Sequence, residues 1–180
     1  NDQIRGTMFW KMPPRLLGNK LTAYGGKLVI TLQFSGRGNP SSEPLVVLRG
    51  NEISLFYRHR GRLDPDTVNR IEIDMFETSW TREDGQPSTR EHLLMTLAEL
   101  ESFLIKATHV SDLSSSSLGE VQMDIAVQTD TQQERAMTVE QCTCSRESQG
   151  LSCEECADGY ERSGGGLYLG TCVESRRPIC

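Results

Sequence analysis

Lys27-Leu28-Val29-Ile30-Thr31-Leu32-Gln33-Phe34 is the stretch that decides the fold. Successive side chains of an extended chain point to opposite faces, so Leu28, Ile30, Leu32 and Phe34 share one side and Val29, Thr31 and Gln33 the other. Alternation of this kind predicts a half-buried strand. Downstream, Ser35-Gly36-Arg37-Gly38-Asn39-Pro40-Ser41-Ser42 reads as a turn-rich loop. Leu45-Val46-Val47-Leu48 and Ile53-Ser54-Leu55-Phe56-Tyr57 read as neighbouring strands about a Gly50-Asn51 turn. Asn69 to Phe76 alternates again, with Ile71, Ile73 and Met75 against an acidic wet face of Glu72, Asp74 and Glu77. Upstream, Met8 to Trp10 is apolar, and Pro13-Pro14 excludes helix in favour of an extended or turning segment.

Gly85-Gln86-Pro87 breaks the chain before its one predicted helix. Ser88 stands three residues before Glu91, the spacing of a capping box, and Thr89 to Glu101 places Leu93, Leu94, Leu97 and Leu100 at helical spacing. Phe103 to Val110 returns to strand, and Ser114-Ser115-Ser116-Ser117 reads as a flexible loop. Glu120 to Thr129 alternates, with Val121, Met123, Ile125 and Val127 inward, before a polar linker or loop over Thr129 to Arg135. About six short strands and a single helix, with no internal repeat, predict a mostly β chain built as an antiparallel β-sandwich.

The chain has 180 residues and a net charge of −6, room for one medium domain and a small module. Such a charge does not draw a protein to nucleic acid or anionic lipid. No apolar run is long enough for a membrane span, and Asn1-Asp2-Gln3-Ile4-Arg5 is not a signal-peptide start. All six cysteines, Cys142, Cys144, Cys153, Cys156, Cys172 and Cys180, lie in the last forty residues or so. A polar segment this small lacks a core of its own, so it calls for crosslinks, which persist in oxidising compartments. The expected location is secreted and extracellular, and a secreted chain without a signal reads as cut from the interior of something longer. Cys-x-Cys and Cys-x-x-Cys pairs also offer four thiolates to zinc, an alternative that the secretory setting disfavours.

No catalytic constellation is legible. His59, His92 and His109 are far apart in sequence, with no nucleophile on a recognisable elbow. Asp64, Asp66, Asp74, Glu77 and Asp84 lack the spacing of a calcium loop and read as solvated turns and strand faces. Arg58-His59-Arg60-Gly61-Arg62 is a compact basic cluster that could meet a sulfated glycan or an acidic partner, or be a solvated hairpin end. Trp10 and Trp80 are the candidates for stacking on a sugar ring. Asn39-Pro40-Ser41 has proline in the forbidden position, so no N-linked glycan is expected, and no Arg-Gly-Asp triplet occurs.

Two motifs carry a resemblance that spans nearly the whole chain. Cys142-Thr143-Cys144, then Gly150-Leu151-Ser152-Cys153-Glu154-Glu155-Cys156-Ala157-Asp158-Gly159-Tyr160-Glu161-Arg162, closed by Cys172, resembles the second half of a laminin-type EGF-like module. Leu16-Leu17-Gly18-Asn19-Lys20-Leu21-Thr22-Ala23-Tyr24-Gly25-Gly26-Lys27-Leu28 resembles the signature of the laminin IV type A domain. In that family the globular domain is inserted between the halves of such a module, in laminin α and γ short arms and in a basement-membrane proteoglycan, the proteoglycan being the preferred parent.

The resemblance implies a jelly-roll-like sandwich over residues 1–140, the C-terminal half of an EGF-like module over 141–175, and the start of the next over 176–180. It implies bridges Cys144–Cys153 and Cys156–Cys172, each contributing roughly 2.5–3 kcal/mol by chain entropy. Cys142 and Cys180 are then orphans whose partners lie outside the chain. It implies a non-enzymatic structural and protein-interaction module of the basement membrane, a globule set in a rod of EGF-like repeats, with glycan binding as the alternative. Expected partners are other extracellular-matrix proteins and flanking EGF-like modules, with a sulfated glycan contact at Arg58, Arg60 and Arg62 held open. No cofactor, metal, nucleic acid or membrane span is expected.

Overall fold

The computed structural model describes residues 6–164 and 170–176. Strand β1 (Phe9–Lys11) leads to a single 3₁₀ turn at Pro14–Leu16, where proline sits in the first position and its missing N–H costs nothing. A second short turn, Leu21–Ala23, precedes β2 (Lys27–Pro40). Then come β3 (Val46–Gly50), β4 (Ile53–Tyr57), β5 (Asn69–Asp74), β6 (Thr81–Arg82), helix α1 (Arg90–Ala98), β7 (Leu100–Lys106) and β8 (Val110–Met123). The strands form two antiparallel sheets, β1-β7-β3-β4-β6 and β5-β2-β8.

The predicted apolar face of β2 lies in the core: Leu28, Ile30, Leu32 and Phe34 are buried with Ile71 and Ile73 of β5. From the other sheet come Val46, Leu48, Leu55, Phe103 and Ile105, and α1 adds Leu93 and Leu97. Trp80, 1% exposed, closes the same core.

Several local expectations are corrected. The loop read over Ser35 to Ser42 is strand as far as Pro40, and the serines at 114–117 are strand too. They pair with one another: Phe34 faces Ser116, Ser35 faces Ser115 and Arg37 faces Asp112. A neighbouring strand supplies the hydrogen bonds that turn-forming residues would otherwise seek locally, and register shifts at Ser35/Gly36 and Arg37/Pro40 absorb the irregularity. At Gly36 a Cβ would lie 2.5 Å from the Asp112 carbonyl oxygen, so the glycine is there for close strand approach.

The helix is capped by Thr89 rather than Ser88: the Thr89 hydroxyl accepts from the His92 backbone N–H, and His92 supplies the reciprocal side-chain contact. Leu100 begins β7 instead of ending the helix, and Val110 belongs to β8. Ile125 and Val127, expected inward, are 55% and 54% exposed. Beyond Met123 the backbone leaves the sheet, Ala126 N–H donating to the Thr22 carbonyl at 2.9 Å, so period-two alternation no longer meets a core.

The tail forms two short ribbons, β9 (Ser148–Gln149) with β10 (Glu155–Cys156), and β11 (Tyr160–Ser163) with β12 (Thr171–Glu174). Among its described residues, 141–164 and 170–176, none is buried.

Candidate functional site

The 16–28 segment and the start of α1 together build a joint with the tail. Asn19 accepts the Leu21 N–H at 3.1 Å, fixing the turn that opens there, and its amide donates outward to Glu154 at 2.9 Å and Glu155 at 3.2 Å. Arg90, in the first turn of α1, donates to Glu140 Oε2 at 3.0 Å, while the other oxygen of Glu140 accepts from the Ser152 hydroxyl at 2.9 Å. One carboxylate thus ties the helix to the loop between Cys144 and Cys153. The hydrogen bond from Arg90, followed by that from Ser152, holds the Glu140 carboxyl below its ordinary range. The same Arg90 lies 5.2 Å over the Tyr24 ring, whose hydroxyl donates to Glu77 at 2.7 Å. Thr138 closes the corner, donating to the Tyr24 carbonyl at 3.2 Å.

Between α1 and the tail lies a cleft of about 610 Å³. Leu21, Leu94, Met95 and Ala98 line the sandwich side, and Glu147, Ser148, Cys153, Glu154 and Arg162 are among the residues on the other.

Cys144 is bonded to Cys153 and Cys156 to Cys172, with Cα separations of 5.4 and 5.5 Å. Cys142 is an exposed free thiol, and its backbone N–H donates to the Leu151 carbonyl at 2.7 Å. Cys180 lies outside the described residues, as do positions 177–179 of the expected next module.

The basic cluster is partly engaged. Arg58 donates to the Ser42 carbonyl at 2.6 Å and Arg62 pairs with Asp64 at 2.9 Å, while Arg60 is exposed. Trp80 is buried and so cannot stack on a sugar, and Trp10 packs against the core. The histidines do not converge on a site. His92 serves the helix cap, His59 contacts the Tyr57 hydroxyl at 3.3 Å, and His109 is buried against Phe34. Of the scattered carboxylates, Asp66 accepts from Ser35, Glu77 from Tyr24, and Asp84 pairs with Arg82. Among the described residues no group of three or more His, Cys, Asp or Glu side chains could hold a metal ion. No helix among them is long and apolar enough to cross a membrane.

Sequence reasoning did not single out Arg90 or Glu140, which are 50 residues apart, and met Ser152 only as part of the tail motif. The available signal was the 16–28 motif, which contains Asn19 and Tyr24. A family model described as Laminin B (Domain IV) matches residues 9–140. The chain belongs to the laminin B (domain IV) family. This laminin B domain with its tail is 51% identical over 172 residues to a basement membrane proteoglycan of Caenorhabditis elegans, covering 95% of the chain and 5% of that protein. It is 43% identical over 169 residues to the basement membrane-specific heparan sulfate proteoglycan core protein of Mus musculus, covering 91% of the chain and 4% of that protein. The laminin B chain therefore spans about one twentieth of the curated relatives it matches. Among solved structures it resembles the L4b domain of human laminin alpha-2, with a TM-score of 0.60 and 30% identity, covering 66% of this chain and 70% of that one. The laminin B fold and these relatives place the chain in the extracellular matrix as a structural module.

Proposed function

We propose that the chain is a non-enzymatic spacer and protein-contact module, a globule inserted in a rod of EGF-like repeats, whose sandwich sets the angle at which the rod resumes. The division into a sandwich over 1–140, a half-module over 141–175 and the next module from 176 is part of this reading. The observation that carries it is Glu140, whose two oxygens accept from Arg90 of α1 and from Ser152 inside the first tail loop. A charge-assisted pair of bonds across a module boundary restrains relative rotation in a way that a bare linker does not. The Asn19 contacts to Glu154 and Glu155 add a second anchor point. Within this reading Cys142 awaits a partner in the preceding half-module and Cys180 one in the following module.

Backbone amide relaxation of the isolated chain tests it. The tail amides share the rotational correlation time of the sandwich, and Glu140→Ala lets them tumble faster while leaving the sandwich spectrum in place. A wild-type tail that already tumbles independently would sink the reading. A sulfated-glycan contact at Arg58, Arg60 and Arg62 is supported only by the exposure of these arginines on an acidic chain.

A further inference from the structure

Helix α1 has two apolar stripes. Leu93 and Leu97 are fully buried in the sandwich core. Leu94, Met95 and Ala98, with Glu91 one turn before them at i, i+3, i+4 and i+7, form a second face that lines the cleft toward the tail, Leu94 also touching the edge of the core. A helix that serves only to cap a core needs one apolar stripe, with polar residues on the other side. Here the second stripe is half-exposed, and among the described residues no side chain of the tail that lines the cleft is a large aliphatic or aromatic one.

Charge selects the occupant. Four carboxylates, Glu91, Glu140, Glu147 and Glu154, and two guanidinium groups, Arg90 and Arg162, line the cleft. Arg90 is engaged by Glu140, and Arg162 donates to the Glu154 backbone carbonyl. Glu91 and Glu147 stand on opposite walls, one on the helix and one on the tail, and local hydrogen bonds hold both carboxyls below their ordinary range. A gap with an apolar floor and acidic walls favours apolar side chains flanked by cations.

We propose that this cleft is a docking site for a short basic and apolar peptide segment of a neighbouring protein, its apolar side chains seated on Leu94, Met95 and Ala98 and its lysine or arginine between Glu91 and Glu147. Methionine on the floor suits such a role, since its flexible side chain adapts to the shape of what enters. The proposal rests on the joint described above, because the cleft exists only while the tail is held against α1.

The test is a titration of the isotope-labelled 180-residue chain with the peptide Leu-Lys-Leu-Leu-Arg-Leu, blocked at both ends, and with its counterpart carrying glutamate in place of the two cations. Saturable shifts are expected at the amides of Leu94, Met95, Ala98 and Ser148, with the acidic peptide and the Glu147→Lys variant each weakening binding by about tenfold or more. Ala98→Trp fills the gap and abolishes binding; if it perturbs the fold, Glu147→Lys, in the coreless tail, still decides. Absence of shifts at millimolar peptide, an equal response to both peptides, or a footprint on another surface overturns the proposal. Amide relaxation in the same sample separates the two readings. A tail that tumbles freely overturns both, whereas a tail held rigid without peptide binding overturns only the docking site.

Discussion

The ring of His109 lies 4.9 Å from that of Phe34, and both of its nitrogens are buried without a hydrogen-bond partner. Burial, followed by the positive charge of Lys106, lowers the His109 pKa from 6.5 to about 4. Lys106 itself is held by the carbonyls of Ser41 at 3.1 Å and Glu43 at 2.7 Å, so its ammonium stays beside the histidine. The unfolded chain binds this proton below pH 6.5 and the folded chain only near 4, so stability rises with pH across that window and is flat above it. The imidazole alone then accounts for a loss on the order of 3 kcal/mol on acidification through the window. His109→Leu removes this part of the dependence, leaving the smaller contributions of His59, His92 and the carboxylates. Denaturant midpoints of the two proteins measured from pH 7 to pH 4 check it, and parallel decline would refute the assignment.

Gly50 closes β3 directly beneath the end of α1. A Cβ there would lie 2.3 Å from the Glu99 carbonyl oxygen and 2.4 Å from that of Thr96. Both are backbone atoms, so the helix has to move as a unit. Gly50→Ala is expected to destabilise by about 2–3 kcal/mol, as overpacking does in a filled interior. An unfolding midpoint equal to that of the wild type would show that α1 docks loosely.

Proteolytic mapping without reduction is expected to recover Cys144 joined to Cys153 and Cys156 joined to Cys172, with Cys142 alkylated. A peptide linking Cys142 to Cys153 or to Cys156 would overturn this pairing.

The arginines at 58, 60 and 62 are expected to leave the chain unretained on heparin at physiological salt. Arg62 is paired with Asp64 and Arg58 is turned back onto the Ser42 carbonyl, which leaves too few outward-facing cations to displace the counterions of a sulfated chain at that salt. Retention that is lost in the Arg58→Ala, Arg60→Ala, Arg62→Ala triple variant would instead establish a glycan contact.

The sandwich was legible wherever one face of a strand is buried. Leu28 to Phe34 and Asn69 to Asp74 alternate because one side meets the core, and a slip of one residue would turn their apolar side chains outward, while the apolar runs about the Gly50-Asn51 turn are β3 and β4. The ends of β2 and β8 were not legible. Gly36, Gly38, Pro40 and the serines at 114–117 have low intrinsic strand preference, and they are strand because each stretch finds the other as a partner. Ile125 and Val127 fail in the opposite sense, since the alternation persists after the sheet has ended.

By itself the sequence determined the class of the protein: a cysteine-free globule with period-two strands and one helix, followed by a small segment too polar to hold itself together without crosslinks. Those properties are local, because alternation, cap residues and cysteine spacing are each read within a few positions of one another. Only the tertiary structure decided what meets at the joint. Arg90, Glu140 and Ser152 are separated by 50 and 12 residues, and the bonds among them exist because the sandwich returns the chain at residue 140 to the first turn of α1. The second apolar stripe of α1 likewise becomes a cleft wall only once the tail stands across from it.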